Sequence, residues 1–288
     1  MVTPKAKREV IEMIRSRFGL SMRRGCLLVG LWRSTQRYCP RDPNKDERLK
    51  DRMREIAEEN PRSGCPMIHD ILRREGLVRN KKRTERVYYR EEKLSLRRKK
   101  RRRRASHTRL KPPEVKAPND RWAMDFVHDS LWNGRKLRNL TLIDVCTKES
   151  LAIAVDTSIS GHGVVRALER VVDARGLPKV ITVDNGPEFR SKALDRWAYE
   201  NRVTLDFIRP GKPVDNCYIE SFNSRFREEC LNVHYFDTIA EARLLIENWR
   251  IKYNEYRPHR TLKGLTPLAF AEQFNQTNTK NLYSEVVH

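Results

Sequence analysis

Val180-Ile-Thr-Val183 is a β-branched, apolar run that stops at Asp184 and meets Asn185-Gly186-Pro187. Such a run reads as a buried strand that delivers a carboxylate into a tight turn, because Asn and Gly accept positive φ and Pro ends the ladder. Asp184 is therefore expected at the carboxyl end of a strand. Downstream, Asn216-Cys-Tyr-Ile-Glu220-Ser-Phe-Asn-Ser-Arg-Phe-Arg227 reads as a helix. At ~100° per residue, Ile219, Phe222, Phe226 and Cys230 share one side, and Asn216, Glu220, Ser224 and Arg227 share the adjacent one. Glu220 is thus expected beside the core, with Arg227 further along the same stripe.

A third carboxylate comes from Asp120 to Trp132, where Trp122, Met124 and Phe126 alternate with Ala123, Asp125 and Val127. A period of two marks a half-buried strand. Asp125 interrupts its small apolar face, a place disfavoured by strand propensity and by desolvation unless a metal or partner balances the charge. Asp125, Asp184 and Glu220, the last two with 35 residues between them, make an all-oxygen donor set suited to a hard divalent cation.

At these residues the sequence resembles the transposases of bacterial insertion sequences that share the retroviral-integrase catalytic core. The resemblance is carried by Trp122-Ala-Met-Asp125-Phe, Asp184-Asn-Gly-Pro-Glu-Phe189, Arg209-Pro-Gly-Lys-Pro213, Asp215-Asn216, Glu220-Ser-Phe-Asn223, Arg227-Glu-Glu-Cys-Leu-Asn232, Tyr253-Asn254 and Arg257-Pro-His259. It runs from about Arg48 to about Pro267, and is nearest to the second-frame product of two-frame insertion sequences. It implies an α/β, ribonuclease-H-like mixed five-stranded sheet with flanking helices, preceded by helix-turn-helix modules. It also implies metal-dependent DNA strand cleavage and strand transfer at the element's ends, with Asp125, Asp184 and Glu220 as catalytic metal ligands. Two divalent cations, magnesium or alternatively manganese, are the implied cofactors. Asn185, Asn216 and Arg227 would position the substrate. Two other readings are an inactive DNA-binding regulator and a ribonuclease-H-type nuclease that cuts without joining.

Charge points to the same partner. The net charge is +22, and residues 1–112 carry +21 of it, which separates a basic binding part from a near-neutral remainder. The six cysteines form no Cys-x-x-Cys pair, so reduced thiols are expected and the zinc-binding amino-terminal module of retroviral integrases is not. No apolar run has the length of a membrane span, and Met1-Val-Thr-Pro-Lys5 lacks a signal-peptide pattern. A cytoplasmic, nucleoid-associated protein is expected. Double-stranded DNA is its partner, with a homo-oligomer on that DNA and an upstream-frame protein as further partners.

In chain order, residues 1–40 hold three short helical patterns. They fit a helix-turn-helix offering Arg33, Gln36 and Arg37 to DNA, or a mini-bundle packed on the core. Residues 41–96 hold a second trihelical pattern, whose third helix, from about Lys81 to Glu92, presents Lys81, Lys82, Arg83 and Arg86. Residues 97–118 combine a like-charge run, Arg97, Arg98, Lys99, Lys100, Arg101, Arg102, Arg103 and Arg104, with a Pro-rich spacer. That run is either a DNA arm or a solvated tail. Residues 119–275 hold the catalytic pattern and 276–288 a tail. Among other acids, Asp144 is expected to bond the Thr147-Lys148 turn and Glu188 to modulate the site. His259 is expected to contact DNA or cap the last helix. Leu244, Leu245, Trp249 and Tyr253 form a late stripe that either packs on the sheet or serves self-association.

Overall fold

The computed structural model describes residues 3–38, 46–96, 115–208 and 216–286, with residues 277–286 by backbone alone. The basic run Arg97–Arg104, the Asp42 linker and the Arg209–Asp215 motif lie outside the described residues. Two compact units are present, residues 1–51 and 52–288.

The first unit carries α1 (Pro4–Phe18), α2 (Met22–Val29) and the single turn α3 (Arg33–Gln36). Thr3 and Ser21 cap the first two helices by accepting backbone N–H groups, and Gly19 and Gly30 end them in the left-handed conformation. A Cβ at Gly25 would stand 3.3 Å from Ile11 Cγ2, so glycine lets α2 approach the one fully buried aliphatic side chain of α1. The residues expected to face DNA are partly spent internally. Gln36 donates to Glu12 at 3.1 Å, and Arg8 donates to the Thr35 carbonyl at 2.9 Å.

The helix α4 (Glu47–Glu59) continues into the second unit and stops before Asn60-Pro61. It is followed by α5 (Cys65–Arg74) and α6 (Lys81–Arg86). Met53, Ile56, Ile68, Ile71 and Leu72 are buried, as their spacing predicts. His69 Nδ1 and Thr84 Oγ1, 2.8 Å apart, tie α5 to α6 inside that core. The chain from Val87 to Glu91 widens into a π turn in place of the expected continuous helix, burying Val87 and Tyr88. This trihelical part docks on the remainder of its unit through Arg52 to Tyr256 (3.4 Å), Lys252 to the Glu59 carbonyl (3.3 Å) and the Arg74 guanidinium over Tyr256.

The rest is a five-stranded sheet: β1 (Arg121–Ser130), β2 (Lys136–Asp144), β3 (Ser150–Asp156), β4 (Val180–Val183) and β5 (Thr204–Phe207). The order is β3-β2-β1-β4-β5, so the first strand is central, as the early hairpins followed by alternating helix and strand imply. Strands β1, β2 and β3 pair antiparallel, and β4 and β5 add in parallel. The sheet's two faces are covered by different helices. Trp122 and Met124 pack with α7 (Gly161–Arg175) and α8 (Lys192–Glu200), while Ala123 and Val127 pack with α9 (Cys217–Phe226) and α10 (Ile239–Glu255). The alternation read from the sequence is this division.

Of the two readings of the late stripe, the structure takes the first: Trp249 and Tyr253 pack tilted or edge-on against Phe222 and Phe226 on the sheet side, and among its four residues only Leu244 is exposed. The chain beyond residue 275 is helical, within α11 (Pro267–Val286), where the polar Asn275–Asn281 stretch offers no apolar period to announce it.

Candidate active site

Asp125 lies in β1 opposite Thr141 of β2, on the face that α9 covers. Its Oδ1 accepts the Phe126 N–H at 2.7 Å and its Oδ2 accepts the Asn223 amide at 2.8 Å. Thr141, fully buried, sets its hydroxyl 3.0 Å from the Asp125 carbonyl and 2.9 Å from Asn223 Oδ1. Asn223 follows Glu220 by three positions, so the helix that carries Glu220 is pinned to the strand that carries Asp125. Neither Asn223 nor Thr141 stands among the site residues expected from the sequence. The available signal was a polar residue set between Phe222 and Phe226 on a helix otherwise apolar toward the sheet.

Burial pushes the Asp125 carboxyl up to about 6, and the charges of Asp184 and Glu220 push it the same way. The Phe126 N–H and the Asn223 amide act against them and hold the ionised form. All three carboxylates therefore share one electrostatic environment. They do not form a closed cluster: among the described residues, no group of three His, Cys, Asp or Glu side chains is gathered tightly enough to hold a metal ion. Glu220 is exposed in the first turn of α9 and Asp184 is half-buried just after β4.

Asp184 Oδ1 accepts the Gly186 N–H at 2.9 Å. Neither Asn185 nor Gly186 has positive φ, so the expected reason for that pair is corrected. Glycine is needed for space, since a Cβ at 186 would stand 2.9 Å from Asp184 Oδ1. Asn185 donates to the Ile208 carbonyl (2.7 Å) and accepts from Arg190 (2.6 Å), so both ends of its amide brace the loop. Phe189 is buried and stacks on Phe126, and Arg138 both covers Phe126 at 3.9 Å and pairs with Glu188 at 2.5 Å. The Arg138 guanidinium holds the Glu188 carboxyl below its ordinary range.

Asn216 precedes the first residue of α9 without capping it by its side chain, and is buried with no hydrogen-bond partner for its Oδ1 among the described residues. Arg227, with helical backbone angles at the end of α9, begins a π turn running to Leu231. It donates to the His128 carbonyl at 3.1 Å. Lys81 and Lys82 are exposed on α6 and Arg83 and Arg86 are half-buried there; Lys81 pairs with Glu85 at 3.3 Å and Arg86 pairs with Glu91. His259 is corrected: it neither faces outward nor caps a helix by its side chain. It is buried edge-on against Tyr253, and burial, with Arg257, Arg225 and Lys148 nearby, pushes its imidazole down to about 3.

A polar groove of about 760 Å³ opens on the Glu220 face of α9, bordered by Ser221, Ser224, Arg225, Arg62 and Arg260. A cavity of about 300 Å³ between Met67, Ile71, Leu245 and Trp249 belongs to the docking of the trihelical part and touches none of the three carboxylates. None of the five described cysteines is in a disulfide. Among the described residues, no helix is long and apolar enough to cross a membrane.

Residues 115–213 and 201–267 match the integrase core domain family. The IS407 insertion-element protein of Burkholderia multivorans is 47% identical over 267 residues, covering 93% of this chain and 96% of that protein. The putative transposase InsK of insertion sequence IS150 in Escherichia coli is 28% identical, covering 80% of this chain and 85% of that protein. In fold, the chain is similar to one in the simian T-cell lymphotropic virus intasome bound to the PP2A regulatory subunit B56 gamma. There the TM-score is 0.51 at 12% identity, covering 76% of this chain and 74% of that one. With its central β1, its parallel β4 and β5 and its covering helices, the sheet has the ribonuclease-H-like arrangement of integrase cores. The chain belongs to the integrase-core family of insertion-element transposases.

Proposed function

We propose that this protein cuts DNA at the ends of an insertion element and joins the freed 3′-hydroxyl to another phosphodiester, with Asp125, Asp184 and Glu220 as the ligands of two divalent cations. The observation that carries the reading is the tie between Asn223, one turn after Glu220, and the half-buried Asp125 carboxylate, which burial and the charges of Asp184 and Glu220 push up to about 6. Three oxygen donors that repel one another, one of them partly dehydrated, fit a hard cation such as magnesium or manganese. When bound, such cations stabilise the attacking and leaving oxygens of an in-line displacement at phosphorus.

The chain's own residues supply the rest. Asn223 holds Asp125 in one rotamer, and the Gly186 N–H does the same for Asp184. Glu220, exposed at the start of its helix, is accessible to DNA. Arg227 neutralises a substrate phosphate beside Glu220, Asn216 orients it, and Asn185 acts by shaping the loop after Asp184. Lys81, Lys82, Arg83, Arg86 and the Arg97–Arg104 run hold the duplex through its phosphates. Joining two ends in concert needs two such sites, so the working form on DNA is a homo-oligomer in the bacterial cytoplasm.

The test uses the full chain, duplexes carrying the element's ends and magnesium. Asp125→Ala, Asp184→Ala and Glu220→Ala are each expected to lower cleavage and joining roughly 10³-fold or more while leaving DNA binding in place. Joining at the wild-type rate by any one variant removes that residue from the site. A wild-type protein that binds the ends but neither cuts nor joins them would identify a regulator, and one that cuts without joining a nuclease.

A further inference from the structure

β1 pairs with β4 only over Arg121–Ala123 and then runs on to Ser130 with no strand on that side among the described residues. Asp125 stands near the start of this open edge, and Arg227 meets it at the His128 carbonyl. Just past its end are two exposed aromatic rings, Trp132 at 73% and Tyr235 at 80% accessibility, packed edge to face with centroids 5.4 Å apart. Roughly 20 Å of extended chain separates Asp125 from Trp132 at ~3.3 Å per residue.

Both rings are held out from rigid backbone. Each adjoins a buried anchor, Leu131 in one case and Phe236 in the other. The Trp132 N–H donates to the Phe236 carbonyl at 2.8 Å, so the two segments are tied at the base of the rings. The turn is closed by Leu131 N–H to the Arg135 carbonyl and Gly134 N–H to the Leu131 carbonyl, both 2.9 Å, with Gly134 at φ 80°. An aromatic pair that covers no core but is fixed in place is a surface awaiting an occupant.

Size and charge choose among occupants. Two rings fall far short of the roughly 800 Å² per partner of a stable protein interface, yet suit one or two planar bases. The turn Leu131–Lys136 carries two exposed cations, Arg135 and Lys136, and no carboxylate. With Arg227 on the same edge, the cations outnumber the flanking acids Asp129 and Asp237, a balance that suits a nucleic-acid backbone.

We propose that Trp132 and Tyr235 form a stacking platform for an unpaired nucleobase of the DNA strand that lies along the open edge of β1. The assignment rests on the proposed DNA-joining function and adds to it a place where a frayed or single-stranded stretch of substrate is held away from the reacting phosphate.

The test is metal-free binding of the full chain to a duplex ending in a short single-stranded thymidine overhang, against the same duplex blunt-ended, at matched salt. The wild type should prefer the overhang roughly ten-fold, the scale of one base stacked on an aromatic ring. Trp132→Ala and Tyr235→Ala should bring that preference close to one without changing blunt-end affinity, and Trp132→Phe should keep most of it. Three outcomes would overturn the proposal: no preference in the wild type, a preference that survives Trp132→Ala, or a Trp132→Ala variant altered only in the sedimentation of the free protein, the mark of a protein contact. Because binding is read without metal, failure of strand joining would sink the proposed function and still leave this comparison readable.

Discussion

Two aspartates in neighbouring strands of one sheet have opposite fates. Asp144, at the end of β2, is completely buried. Its Oδ1 accepts the N–H groups of Cys146 (2.7 Å) and Thr147 (3.0 Å), and its Oδ2 accepts that of Asn119 (2.8 Å). Asp125, in the middle of β1, is less buried but accepts one backbone N–H and one amide, with Asp184 and Glu220 opposing its charge. Burial alone therefore does not mark a functional acid. What separates the two is the donors around them: three backbone N–H groups build a turn on Asp144, whereas Asp125 has one N–H and one amide and faces two further carboxylates, and in the proposed function a cation supplies the rest.

The sharpest way to break this contrast is to neutralise each acid with little change of shape. Asp125→Asn should lower strand joining roughly 10³-fold or more with the fold intact, read by joining assay and by urea denaturation of the same sample. A variant that still joins, or that unfolds, would make Asp125 another Asp144. Asp144→Ala should do the reverse, costing roughly 2–4 kcal/mol by leaving the buried Thr147 N–H and the part-buried Asn119 and Cys146 N–H groups without their acceptor. A change below about 1 kcal/mol in urea would show that water or a neighbour satisfies them.

A smaller effect is expected from Asn223→Ala, which removes the amide holding the Asp125 carboxylate while keeping the helix. Activity should fall roughly 10- to 100-fold, the range for a residue supporting a metal ligand. The acidic limb of the pH–rate profile should also move to higher pH, because the Asn223 hydrogen bond favours ionised Asp125. A rate loss with an unmoved acidic limb would mean that Asn223 only packs.

The mildest prediction concerns stability. Asp125 titrates near 6 in the folded chain against 3.8 for an unperturbed aspartate. A raised folded value means that its stabilising contribution is complete below about 3.8 and is lost as pH rises through about 6. In chelator, Asp125→Asn should therefore match the wild type near pH 4 and exceed it by on the order of 2 kcal/mol near pH 8. Parallel stability curves for the two proteins across that range would remove the surplus charge from the argument.

The parts of the site legible in the sequence are those where an acid breaks a periodic pattern. Asp125 interrupts the apolar side of a period-two run, Asp184 ends a β-branched run, and Glu220 stands beside a helical apolar stripe. Asp144 was legible too, because a turn-bonding aspartate needs only its next few residues. Asn223, Thr141 and the Arg138–Glu188 pair were not, since their partners lie on other strands and helices. The π turn at Arg227 leaves no mark in an apolar stripe that stays buried through Cys230.

The mixed five-stranded sheet, the division of that sheet into two apolar faces and the concentration of positive charge before residue 113 followed from the amino-acid sequence alone, which also nominates Asp125, Asp184 and Glu220 as the proposed ligands. All of these depend on local spacing or composition, which a linear pattern records. Only the tertiary structure decided that Gly186 is required for room beside Asp184, that His259 is buried beside Tyr253 and three cations, and that Trp132 and Tyr235 stand together on the surface. Each depends on the distance between groups far apart in the chain, and that distance is set by how strands register and helices dock.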